Sequence, residues 1–374
     1  METAKDPDAN DRPRLEPSED NFRHQALDPE KSEIRLCRFT NPAETSEKLT
    51  ATLETFELHH SPPYTALSYE WGDSTGNANV LLGGASLGVR QNLANFLTVL
   101  LGLDFHGTYL WIDQICIDQA SMVERNHQVR LMSDIYSNAE EVIAWIGLTL
   151  PDPRRRQLKS NSELVFAPYW RRLWIAQELL LARKIRVCGV SGIVDWEQIV
   201  SWVLPRGLPS PRKLSAFFGD EWKEFWWAES GPAFKFWNFI FLRHMDTIAL
   251  PLPLVQAINK FSESECSDPR DKVYGLLGLV VPEERIEPDY SITPRALMYK
   301  ALAKVLSVNK APVQTPDHLV GVIFRLFALR IGLRRTEWRR IDHFMAAYRS
   351  REHRITKSQT RTQKSSKVGR HRVR

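Results

Sequence analysis

The chain has 374 residues, 43% of them hydrophobic and 25% charged, which describes a globular protein of two or three units and excludes a fibrous or wholly disordered one. Its net charge of +5 would suit a nucleic-acid partner, but residues 325–374 alone carry +13, leaving −8 for residues 1–324. The acidic balance of residues 1–324 argues against a nucleic-acid role for the folded body, and the four scattered cysteines hold no C-x-x-C pattern that would bind zinc.

Residues 1–32 are rich in Asp, Glu, Pro and Lys and lack an apolar core segment, so they read as a disordered leader and not a secretory signal. Ordered sequence starts at the alternating run Ile34 to Phe39, which Leu53 to Leu58 can pair with. From Tyr64 onward β-type runs (Tyr64 to Glu70, Tyr109 to Asp113, Val142 to Ile146, Lys184 to Val190) alternate with helical segments (Gln91 to Leu103, Val123 to Ala139, Tyr169 to Ala182). This order predicts an α/β fold of three layers, a mostly parallel sheet flanked by helices. Val80 to Val89, with Gly83 and Gly84 at its turn, predicts an inserted hairpin.

The α/β domain is expected over residues 33–205, with Asp195 capping a helix from Trp196 to Val203. A helical extension follows over 206–310. Its aromatic stretch Trp222 to Phe241 reads as a packed helical layer or a binding groove. Asp268 and Pro269 start one helix there, and Thr293 and Pro294 another. Apolar periodicity fades after Lys310, so residues 311–374 read as a basic, disordered tail. The longest apolar tract, Phe234 to Val255, contains Lys235, Arg243, His244 and Asp246, which argues against a membrane span.

No phosphate-binding loop, dinucleotide fingerprint, zinc-protease helix or nucleophile elbow occurs, so no metal site and no bound cofactor are expected. In a parallel sheet ligands bind outside the carboxyl ends of the strands. There the first strand ends in Trp71, Gly72 and Asp73, which form a candidate substrate crevice, and the second ends in Asp113. Glu124 and Arg125 extend the inward stripe of the next helix towards the same crevice, or else cap that helix and hold the loop before it. Glu178 interrupts a segment that is apolar almost all round, with Trp174 and Leu181 one turn to either side. Such a carboxylate has a raised pKa unless an arginine compensates, and Arg125, Arg171 and Arg172 are the candidates. It is either one half of a structural ion pair or a catalytic acid.

Four blocks in order resemble the heterokaryon incompatibility (HET) domain proteins of filamentous fungi: Tyr64 to Gly72 (YTALSYEWG), Leu110 to Gln119 (LWIDQICIDQ), Glu124 to Gly147 with its Gln128, Met132, Tyr136 and Trp145, and Tyr169 to Glu178 (YWRRLWIAQE). Asp268 to Tyr274 (DPRDKVY) and Pro288 to Ser291 (PDYS) resemble the segment that follows this domain; Asp118 departs from the family's usual Asn. The resemblance implies a cytoplasmic nonself-recognition effector that promotes regulated cell death, with self-association or other incompatibility proteins as partners. A nuclear location through the basic tail is the alternative. A more remote similarity to Toll/interleukin-1 receptor (TIR) domains implies a TIR-like fold. It also implies NAD as a substrate, with Glu178 where NAD-cleaving members keep their glutamate, while a non-enzymatic signalling module would keep the same core.

Overall fold

A computed structural model describes residues 21–40, 49–73, 77–150 apart from 104 and 106, 163–203, 250–308 and 316–351, with six further positions between 235 and 243. Among the described residues, nine strands form one sheet in the order β5-β4-β2-β1-β6-β3-β7-β8-β9. They are β1 (Glu33–Phe39), β2 (Leu49–Glu57), β3 (Tyr64–Tyr69), β4 (Asn77–Leu82), β5 (Ala85–Arg90), β6 (Tyr109–Trp111), β7 (Glu141–Trp145), β8 (Ile185–Gly189) and β9 (Gly192–Asp195). Helices flank it: α1 (Gln91–Gly102), α2 (Met122–Asn138), α3 (Ile175–Leu180) and α4 (Trp196–Val203).

The expected α/β fold is present, and its parallel part is the centre. Strands β6, β3, β7 and β8 run parallel to one another, and β4 runs parallel to β2. The other four pairings, β1 with β2, β1 with β6, β4 with β5 and β8 with β9, are antiparallel. The sheet is therefore mixed. Each antiparallel partner but β6 is reached by a short connection, whereas the parallel strands are separated by helices, as crossover connections require. All six residues of β3 are buried, as are four of the five in β7, so both faces of the sheet are covered at its middle. The hairpin of β4 and β5 extends the sheet beyond β2.

The extension holds α5 (Leu254–Phe261), α6 (Pro294–Val308) and α7 (Asp317–Arg330), followed by helical residues 337–351. Two expectations differ from this. Residues 21–32 lie against the domain: the Phe22 N–H donates to the Ser86 carbonyl, and His24 bonds the Ile115 carbonyl. The supposed structureless tail contains α7, whose Val320, Phe324 and Phe327 are buried together with Ile331 at its C-cap. Those four residues recur at helical spacing, a period that the surrounding arginines obscured. Most of the aromatic stretch Trp222 to Phe241, including Trp222, Trp226, Trp227 and Trp237, lies outside the described residues, as do residues 352–374.

Candidate functional site at the carboxyl ends of the central strands

Three segments meet where β3 and β6 end. Strand β3 brings Ser68, and the chain then turns through Trp71 and Gly72. Gly72 has a φ of 71°, the left-handed region where a side chain is strained, and a Cβ there would stand 3.2 Å from Asn92 Cβ. Strand β6 ends at Trp111, and Asp113 opens a single helical turn, Asp113–Cys116. The third segment is the short 3-10 turn Pro168–Arg171 leading through Arg172 into α3, which carries Glu178.

Glu178 is 3% exposed. Its carboxylate accepts a short hydrogen bond from Ser68 Oγ, and Ser68 Oγ lies 2.6 Å from the Tyr169 hydroxyl. Arg172 Nη1 stands 3.5 Å from Glu178 Oε2 and makes no hydrogen bond of its own. Of the three candidate arginines, Arg172 is thus the partner. Burial pushes the Glu178 pKa up, against the Arg172 charge and the Ser68 hydrogen bond.

Asp113 belongs to the same cluster. Trp71 Nε1 donates to its Oδ2 at 2.6 Å, and the Gln114 N–H donates to its Oδ1 at 2.8 Å. Burial again raises the pKa, opposed by Trp71 and the more distant Arg172. Two carboxyl groups thus share the field of one guanidinium, and the pKa of each is raised. At the rim, the Arg90 guanidinium lies 4.9 Å over the Trp71 ring and donates to the Gly72 carbonyl at 2.7 Å. Asp73 is exposed beside Gly72.

Glu124 and Arg125 are not brought to this cluster. The Glu124 carboxylate takes two hydrogen bonds from Arg35, at 2.6 and 3.0 Å, and one from the Asp118 N–H at 2.6 Å. Burial acts against its charge, but these partners hold its pKa below the usual carboxylate value. Ser121 caps the same helix by accepting from the Glu124 N–H, so Glu124 fixes the loop before α2. Arg125 instead lies 5.0 Å over the Tyr290 ring.

That ring belongs to a second group. Arg270 stacks on Tyr290 at 5.2 Å, and the Tyr290 hydroxyl donates to Asp271 Oδ1 at 2.5 Å. Trp174 Nε1 donates to Asp271 Oδ2 at 3.1 Å, which ties the extension to the segment carrying Glu178. Burial raises the Asp271 pKa to about 6 despite both donors. Sequence reasoning passed over Ser68, Tyr169 and Asp271. The legible signals were a serine in the middle of a fully buried strand and an acid two residues before the buried pair Val273 and Tyr274.

The family model for Heterokaryon incompatibility protein (HET) matches residues 64–165, the segment that holds Ser68, Trp71, Asp113 and Glu124. The chain carries a HET domain. Tyr169, Arg172 and Glu178 lie just past the matched span of that domain. Heterokaryon incompatibility protein 6, OR allele, of Neurospora crassa is 36% identical over 372 residues, covering 77% of this chain and 54% of the relative. The chain thus spans about half the length of that curated relative. No solved structure matches it. Among the described residues, no helix is long and apolar enough to cross a membrane, and no group of three or more His, Cys, Asp or Glu could hold a metal ion.

Proposed function

We propose that this protein acts in heterokaryon incompatibility as a cytoplasmic nonself-recognition effector of regulated cell death, and that the Glu178 cluster cleaves the nicotinamide glycosidic bond of NAD. The HET domain and the incompatibility protein of Neurospora support the first part. The observation that carries the second is the pair of carboxyls, buried Glu178 and half-buried Asp113, both with raised pKa, at the carboxyl ends of parallel strands. Two acids and one arginine are a costly way to fill a core, and such groups gather where chemistry is done.

In this reading Glu178 holds the ribose and stabilises positive charge growing at the anomeric carbon as the bond to nicotinamide breaks and a water oxygen bonds there, which gives nicotinamide, ADP-ribose and a proton. Trp71, half-buried at the rim, stacks on a ring of the substrate, and Asp113 fixes the indole through its hydrogen bond. Arg172 and Ser68 close over Glu178 in this state, so the Arg172 side chain must swing aside to admit substrate.

That closure favours a second reading, in which the cluster is a structural lock and the protein signals by assembling with itself or with other incompatibility proteins. One comparison separates the two. Concentrated protein is incubated with NAD and nicotinamide release is followed, with Glu178→Gln alongside. The enzyme reading expects release that Glu178→Gln abolishes while remaining folded. No release from either protein removes it, and release that survives the substitution clears Glu178 of the role.

A further inference from the structure

The N-terminus of α1 lies against the turn through Trp71 and Gly72. The Asn92 side chain, in the first turn of α1, donates to the Glu70 carbonyl and accepts from Trp145 Nε1 at 2.9 Å, which fixes that placement. The first N–H groups of a helix have no partner inside it, and the aligned peptide dipoles make that end electropositive. Such ends are commonly closed by a serine, threonine, asparagine or aspartate. Here the N-cap is Arg90, whose side chain makes no capping bond, and the first turn holds no acid.

A buried side chain beside this end indicates what it receives. Gln114 is only 9% exposed, and its Oε1 accepts from the Arg90 N–H at 3.0 Å, so its amide lies against the start of α1. The Nε2 of the same amide is buried with no hydrogen-bond partner. A donor left this way is costly, and it calls for an acceptor. Arg90 adds charge at the same place: its guanidinium donates to the Gly72 carbonyl, lies over the Trp71 ring and, among the described residues, forms no ion pair. An open helix end, an unused amide donor and an unpaired guanidinium all lack one thing, an acceptor that carries negative charge.

We infer that the N-terminus of α1, Gln114 and Arg90 form a phosphoryl-binding site at the edge of the Trp71 crevice. Several donors from different groups suit the tetrahedral oxygens of a phosphoryl group better than a flat carboxylate. Because Gln114 Nε2 is out of contact with solvent, a side chain must move to admit the anion, and Arg90 is the one that gains by moving. Drawn to the anion, its guanidinium leaves the face of Trp71 and frees that face for a ring. The ligand that places a diphosphate beside such a ring is a dinucleotide. Its identity as NAD rests on the function proposed above, whereas the anion site itself does not.

Calorimetry on the full chain at low salt, with inorganic pyrophosphate and with ADP-ribose, tests the two levels separately. Both are expected to bind with dissociation constants below about 1 mM and more weakly as salt is added. Gln114→Glu keeps an acceptor for the Arg90 N–H but puts a negative oxygen in place of Nε2. It is expected to weaken pyrophosphate binding at least about tenfold, and so is Arg90→Gln, which keeps the test decisive if the first variant does not fold. Arg130→Gln, on the exposed side of α2, controls for net charge and is expected to bind like the parent. Absent pyrophosphate binding, or binding that survives Gln114→Glu in a folded chain or Arg90→Gln, overturns the site even if NAD is cleaved. Pyrophosphate held through Gln114 and Arg90 by a chain that neither binds ADP-ribose nor releases nicotinamide upholds the site and removes NAD as its ligand.

Discussion

The indole N–H of Trp71 donates to the Asp113 carboxylate at 2.6 Å, tying a half-buried ring at the rim to the half-buried acid that opens the turn after β6. Hydrogen bonds to charged groups contribute about 1.5–3 kcal/mol, and this one also lowers the pKa of Asp113 against the effect of burial. Trp71→Phe keeps an aromatic surface under Arg90 but removes the donor. It is expected to destabilise the fold by about 1–3 kcal/mol at neutral pH and to push the Asp113 pKa further up. Urea unfolding of Trp71→Phe, Asp113→Asn and the double variant checks it, and strictly additive effects would show that the bond contributes nothing.

Among the described residues Arg172 is the sole guanidinium ion-paired with Glu178, so Arg172→Met leaves an acid buried without its counter-charge. Breaking one side of a buried pair typically costs about 3–5 kcal/mol, much more than the pair itself contributes. The expected loss is of that size at pH 7. It shrinks as pH falls and Glu178 takes up a proton. Arg172→Met combined with Glu178→Gln should recover part of the loss, because the orphaned charge is gone. If the double variant is as unstable as the sum of the two singles, Arg172 supports the fold by packing alone.

The sheet was legible because its signals are local. Tyr64 to Glu70 and Val142 to Ile146 are short apolar runs between helical periods, and they form β3 and β7 nearly residue for residue. The helix at Trp196–Val203 followed from its cap and period. Direction of pairing was less legible: β1 joins the sheet between β2 and β6, a choice made by tertiary packing that no residue in Glu33–Phe39 announces. At the site, the enclosure of Glu178 was legible as an acid in an apolar segment. Its partner was not, since Arg125, Arg171 and Arg172 were equally plausible until the turn at Pro168–Arg171 aimed Arg172 inward. For Glu124 the loop-holding reading is the one found, and only its partner was illegible, because Arg35 lies 89 residues away on β1.

Asp271 makes stability depend on pH. Its pKa rises from 3.8 to about 6 in the folded protein because burial disfavours the charged form. The stability it contributes is therefore fully present below pH 3.8, falls as pH rises through about 6 and is absent above that. The difference is about 3 kcal/mol for this residue, at 1.36 kcal/mol per pKa unit. Glu124 and Asp268, whose pKa values are lowered, act in the opposite sense, losing their contribution as pH falls. Asp271→Asn isolates the one residue. Its amide oxygen can still accept from Tyr290 or Trp174, and the variant is expected to lose less stability than the parent between about pH 4 and pH 7. Equal pH profiles in denaturant titrations would show that Asp271 titrates normally.

Gly278 reports how the extension touches the segment that carries Glu178. A Cβ at this position would stand 2.7 Å from Gln177 Oε1, 2.7 Å from Ser133 Cβ and 3.1 Å from Leu181 Cδ1. Gln177 neighbours Glu178, and its side chain accepts from the Gly278 N–H at 3.3 Å. Gly278→Ala must therefore displace α2, α3 or the extension, and overpacking of this kind costs about 1–3 kcal/mol. Gly102→Ala is the control: it lies at the end of α1 with nothing within 4 Å of the added carbon. Thermal melting is expected to fall for Gly278→Ala and to stay level or rise slightly for Gly102→Ala. If the Glu178 cluster turns over NAD, the shift of Gln177 should also slow nicotinamide release in the Gly278 variant at temperatures where it remains folded. Equal melting of the two variants would mean that the extension does not pack on α3 as described.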